Sequence, residues 1–280
     1  MLISTTRTPG TEALAIPIRR PSAGGPAMTD TVESGRHARC LHLFTGPVRT
    51  SPFVTADGVH TDVPDSCVRL IVWLALRRTR VDRSLAAGTL WPCVDDRRAA
   101  GNLRSALWRL RGTGSDVVVA DKTPLAMRAD VEVDVHVAAD WAQRVIGGTS
   151  RAGDLRIVPW FTDAIDLLAG WDDDWAILER ERLRHRTLHA FEELSRLLCS
   201  AGRHAEGIGA ARTVVAADPL RESAQRALVH AHLAAGDVTE SRRVLDEYTT
   251  LHRRVFGVDP SPRLGKTMSG WTTGPTVTHA

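Results

Sequence analysis

The run "DDRRAAGNLRSALWRLRG", Asp95–Gly112, constrains the fold more than any other stretch of the chain. Leu103, Leu107 and Leu110 recur at helical spacing with Ala99, Ala100 and Ala106 beside them, so the segment is a helix with one narrow apolar stripe. Asp95 supplies an N-cap oxygen and Gly112 a stop. Opposite the stripe lie Arg98, Gly101, Ser105 and Arg109, with Arg97, Asn102, Arg104 and Trp108 along the edges. No acid follows Asp96 in this helix. Such a helix needs an apolar neighbour on one side and has a surplus of positive charge on the other.

The flanking sequence supplies the neighbours. Asp65–Arg78 is nearly apolar through its middle, "LIVWLAL", which predicts a buried helix. "VDRSLAAGTLW" predicts a second helix, capped by Asp82 and ended at Trp91-Pro92, because proline cannot continue the hydrogen-bond ladder. Before these helices, "CLHLF" and "PFVTADGVHTDVP" read as short strands with a turn at Asp57-Gly58. After them, "DVVVADKTPLAMRADVEVDV" reads as a hairpin turning at Asp121–Pro124. Short strands, three helices and a hairpin form the layout of a winged helix-turn-helix. Trp108 is expected to wedge against the wing.

From Asp134 the pattern is wholly helical. "WDDDWAILERERLRHRTLHAFEELSRLLCSAG" predicts one long helix with Leu188, Phe191, Leu194 and Leu198 along a face. Gly202 and Gly236 lie 34 residues apart, each closing one helix before the next opens, which is the tetratricopeptide period. Asp218-Pro219 marks the break between helix pairs. The expected fold is therefore mainly α with a small β component. A winged helix at 40–140 precedes a tetratricopeptide-like helical domain at 141–264, each with its own core. Residues 1–39, rich in Thr, Ser, Pro, Gly and Arg, and 265–280 are expected to be disordered, with Met28 a plausible alternative start.

The net charge is only +3, but Arg69–Arg111 holds ten arginines against three acids, a local +7 that leaves −4 elsewhere. Charge so concentrated suits a polyanionic partner. The residues expected to meet DNA are Arg97, Arg98, Asn102, Arg104, Ser105 and Arg109 on the third helix. Arg77, Arg78 and Arg80 would grip flanking phosphates, and Lys122 would sit near the hairpin tip. Against Lys122 and Arg128, however, the wing region carries Asp116, Asp121, Asp130, Glu132 and Asp134, so it is no electrostatic anchor.

Other chemistries find little support. Four cysteines are scattered without paired spacing, which suits reduced thiols in a cytoplasmic protein. No run approaches the ~20 apolar residues of a membrane span. Asp172–Asp174 are explained by capping and the helix dipole, not by a metal. "LGKT", Leu264–Thr267, lacks the glycine a phosphate-binding loop needs at position 260, where Pro260 stands. His185, His189, His230 and His232 have no partner acids at triad-like positions. The chain is therefore not read as an enzyme, and no cofactor or metal is expected.

"GTLWPCVDDRRAAGNLRSALWRLR", "GWDDDWAILERERLRHRTLHA" and "AADPLRESAQRALVHAHLAAGD", in this order, resemble the streptomycete antibiotic regulatory protein family over about Cys40–Leu264. In that family an OmpR-type winged helix is fused to a bacterial transcriptional activator domain of tetratricopeptide-like helices. The resemblance implies promoter binding, often at direct repeats, by a dimer or a cooperative pair. It also implies recruitment of RNA polymerase to activate a gene cluster, at the nucleoid in the cytoplasm. The stretch before the first helix is less regular than the family's strand pair. The chain has no room for the NTPase module of larger members, and it carries no receiver domain. The alternative is a helical-repeat adaptor whose winged helix binds protein, although such an adaptor has no evident need for the +7 segment.

Overall fold

The computed structural model describes residues 39–44, 52–56, 59–120, 124–158 and 160–265, without the side chains of Asp62 and Trp160. The chain opens on strands β1 (Arg39–His42), β2 (Phe53–Ala56) and β3 (Val59–Asp62), paired antiparallel in sequence order. Helices α1 (Asp65–Arg77), α2 (Arg83–Leu90) and α3 (Asp96–Gly112) follow. Strands β4 (Val118–Val119) and β5 (Ala126–Met127) form the wing, which Val81 extends by a bridge to Leu125. The predicted hairpin is thus real but shorter than its two β-rich runs. The end of the second run, β6 (Val131–Val133), leaves the wing and pairs parallel with β1, giving a sheet of order β3-β2-β1-β6.

The helical half comprises α4 (Asp134–Ile146), the short α5 (Trp160–Asp163), α6 (Asp174–Ser200), α7 (His204–Ala217), α8 (Glu222–Ala234) and α9 (Val238–Phe256). Successive helices from α6 onward pack against one another. Gly202 and Gly236 sit at φ 74° and 80°, the left-handed conformation that a side chain disfavours. At both, the following amide bonds back to a carbonyl near the helix end, Arg203 N to Leu198 O and Asp237 N to His232 O, each at 2.9 Å. The two glycines therefore make the same stop one repeat apart. Gly207 serves a different need: a Cβ there would lie 2.4 Å from Cys199 Sγ, so α6 and α7 cross at a distance that only glycine permits.

The apolar run of α1 is explained by burial on two sides. Cys67, Val68, Ile71, Val72 and Ala75 face the sheet and α4, while Leu70, Trp73 and Leu74 pack on Ala86, Leu90, Leu103 and Leu107 of α2 and α3. Leu188, Phe191, Leu194 and Leu198 of α6 are buried, as their spacing predicts. They belong to the same continuous core as Leu41, Leu43 and Val54 of the sheet. Each half also has a smaller cluster of its own, Leu70, Trp73, Leu90, Leu103 and Leu107 in the first and Ala211, Leu228, Val229, Leu233 and Val244 in the second. Position 140, the boundary expected from sequence, falls inside α4.

Two acids expected to cap helices do something else. Asp82 stands at the N-cap of α2 without a side-chain cap bond. Asp173, at the N-cap of α6, turns its carboxylate to Arg69 of α1 and ties the two halves together. Residues 1–38, Asp57, Gly58, Asp121, Lys122 and the tail from 266 lie outside the described residues.

The sheet has its own pH dependence. Burial, and to a lesser extent the charge of His60, lowers the His42 imidazole to about 4, while Nε2 lies 3.0 Å from Thr55 Oγ1. Between that value and the ordinary 6.5 the unfolded chain takes up a proton that the folded one refuses. The contribution of His42 is therefore full above about pH 6.5 and is lost as pH falls toward about 4. In urea unfolding between pH 7.5 and 5, the wild-type midpoint should fall more steeply than that of His42→Gln. Parallel curves would assign the acid sensitivity elsewhere.

Candidate nucleic-acid interface

The geometry of α3 follows from its stripe. Ala99, Leu103, Ala106, Leu107 and Leu110 are buried against α1 and α2. Asp95 Oδ1 accepts the Arg98 amide at 2.9 Å and fixes the start, as the sequence predicts. With the stripe fastened, Arg97, Arg98, Arg104, Ser105 and Arg109 are exposed and Asn102 is half-buried on the same outward surface. The structure brings these six predicted residues together on one face of α3.

Within the described residues, the side chains of Arg97, Arg98, Arg104 and Arg109 form no ion pair or hydrogen bond. Many arginines of the helical half differ, although Arg186, Arg212, Arg242 and Arg254 are likewise exposed without a side-chain partner among the described residues. Arg182, Arg196, Arg203 and Arg243 each pair with a glutamate three residues away, Arg221 pairs with Glu192, and Arg253 with Asp259. On α3 the positive charge is left standing.

The other predicted contacts fare unevenly. Arg80 is exposed, with no side-chain partner among the described residues. Arg77 is exposed and lies over the Trp73 ring, 5.0 Å from its centroid. Arg78 is a correction. It closes α1 in the left-handed conformation, and its guanidinium bonds Asp140 Oδ1 at 2.7 Å and the His136 carbonyl at 2.8 Å. It is therefore a fastener between α1 and α4, and a phosphate would have to displace both partners. Lys122 lies outside the described residues. Trp108 is a second correction: it does not wedge against the wing but stands 77% exposed on the arginine face.

Sequence reasoning missed the residues that hold the wing beside α3. Arg83, at the start of α2, and Arg111, at the end of α3, both donate to the Ala120 carbonyl, at 2.7 and 3.3 Å. Their positions at the two helix ends nearest the hairpin are the available signal. At the other side of the wing, Arg128 bonds Asp116 and Asp130, and Arg39 approaches the same two acids. These pairs offset Asp116 and Asp130, two of the five acids counted in that region.

Three comparisons bear on this arrangement. Residues 162–269 match the bacterial transcriptional activator domain. Over 201 residues the chain is 28% identical to the regulatory protein AfsR of Streptomyces griseus, covering 67% of this chain and 20% of AfsR. The chain thus spans about a fifth of that relative's length. Mycobacterium tuberculosis EmbR, solved in complex with a low-affinity phosphopeptide, is similar in fold at TM-score 0.59 and 13% identity. That similarity covers 86% of this chain and 67% of EmbR.

Proposed function

We propose that this chain, a transcriptional regulator of the streptomycete antibiotic regulatory protein type, binds promoter DNA through α3 and recruits RNA polymerase to activate transcription. The observation that carries the reading is the unpaired set Arg97, Arg98, Arg104 and Arg109, on a helix whose opposite stripe is fully used in packing. The unpartnered arginines of the helical half are spread over α6, α7 and α9, whereas these four share one face of a single helix. Unpaired guanidiniums beside Ser105 and Asn102 suit phosphates and base edges. The activator-domain match over 162–269 supports a partner in the transcription machinery for the helical half. Direct-repeat sites would place two protomers about 34 Å apart along the duplex, as a cooperative pair or a dimer.

The test is a salt-titrated binding assay with the full chain. Affinity should fall linearly with salt on a log–log plot. Arg109→Ala should weaken specific binding by ~1–3 kcal/mol and relax the preference at one base pair. Arg98→Ala and Arg109→Ala chains indistinguishable from wild type would remove α3 from the interface. Absence of DNA binding at any salt concentration would favour the protein-binding adaptor.

A further inference from the structure

Phosphate binding leaves one feature of α3 unexplained. The Trp108 indole is 77% exposed, whereas the other large apolar side chains of the helix, Leu103, Leu107 and Leu110, are buried. The buried stripe includes Ala99 and Ala106 as well as the leucines, so Gly101, Ser105, Trp108 and Gly112 form the line opposite it at successive turns. Trp108 lies on that line and not at the edge expected from the leucines alone. That line carries no charge. The unpaired arginines stand on either side of it, Arg97 and Arg104 on one flank, Arg98 and Arg109 on the other.

A major groove has phosphate walls and a floor of base edges. A helix lying in it turns its flanks to the walls and its outermost line to the floor. The two arginine rows then meet phosphates, and the neutral line meets bases. Gly101 and Ser105 keep the first half of that line low. Around the place of a Gly101 Cβ there is nothing closer than Arg104 Nη2 at 3.8 Å, so the backbone can approach the floor. Recognition helices enter with the N-terminal part deepest. Two turns further on the floor is more distant, and only a long side chain spans the gap. Trp108 is that side chain. Its indole offers one N–H donor, no acceptor and a broad apolar surface. Among major-groove base edges the apolar partner is the thymine 5-methyl group.

Building on the DNA-binding reading above, we propose that Trp108 is a specificity-determining residue that selects thymine through its 5-methyl group in the major groove. Selection from a randomised duplex pool with the full wild-type chain should enrich a thymine at one position of each half-site. Trp108→Ala should lose that preference and keep the neighbouring ones. A duplex with uracil at that position, lacking only the methyl, should bind the wild type about fourfold more weakly. The same duplex should bind Trp108→Ala as well as the thymine form does. Because the indole is exposed, the variant should keep the wild-type unfolding midpoint. Enrichment of the same thymine by Trp108→Ala, or equal wild-type affinity for the two duplexes, would overturn this inference alone. A wild-type pool without any enriched sequence would overturn the DNA-binding reading and this inference with it.

Discussion

Replacing Arg97, Arg98, Arg104 and Arg109 together by alanine is expected to reduce the salt dependence of DNA binding by up to about 3.6 in log–log slope, at about 0.9 per phosphate contact. At physiological ionic strength the loss of affinity should be on the order of a hundredfold or more. The change should cost little stability. All four side chains are exposed and have no partner among the described residues, alanine is the best helix former, and removing four like charges from one face relieves repulsion. The informative control carries nearly the same charge change elsewhere. Arg182, Arg196 and Arg243 are also exposed helix arginines, but each is paired with a glutamate. Alanine at those three positions should leave the slope where it was. Anisotropy titrations of a labelled duplex over a range of salt concentrations would compare the two sets. Equal slopes would mean that net charge, and not the face of α3, attracts the duplex.

How much of this was legible in the sequence depends on the range of the interaction. The start of α3, the burial of α1 and the repeated glycine stops follow from residues within a turn of one another, and the structure shows all three. Gly112 is instead the last helical residue, with Thr113 at the C-cap and the left-handed turn at Gly114. The candidate face was legible for the same reason, since a helical stripe fixes its opposite side. What failed depended on residues distant in sequence. Arg78 looked free because its partner Asp140 lies 62 residues on, and Asp173 looked like a cap because Arg69 lies 104 residues back. β6 reads as the second arm of a hairpin, yet its partner β1 lies some ninety residues away. Trp108 was misplaced because local pattern cannot say whether a wing reaches over a helix edge. The shared core was hidden because α4 has a single apolar stripe in sequence but packs on both the sheet and α6.

Asp134→Ala is expected to destabilise the protein by about 3–5 kcal/mol, although in sequence Asp134 is one acid among several near the wing. Its side chain is 2% exposed. Oδ2 accepts the amides of Leu43 and Phe44 at 2.7 and 2.8 Å, and Oδ1 accepts that of Val135 at 2.6 Å. The carboxyl thereby fastens the chain leaving β1 to the first turn of α4, directly after β6 has paired with β1. Alanine would strand buried amide donors, each costing about 1–3 kcal/mol. Leu43 shares its core with α6, so urea or thermal unfolding should move as one transition, not as the selective loss of an early phase. Asp130→Asn, which removes an exposed partner of Arg128, should change stability by less than about 1 kcal/mol. The pH dependence gives a second readout. Burial pushes the Asp134 carboxyl up to about 7, against the pull of its three backbone bonds. Between the ordinary carboxylate range and that value the folded chain holds a proton that the unfolded chain has released. Wild-type stability from this group therefore declines as pH rises toward 7, and the gap to Asp134→Ala should narrow from pH 5 to pH 8. A gap that stays constant over that range would mean that the three amides hold the group ionised throughout and that hydrogen bonding outweighs burial at this junction.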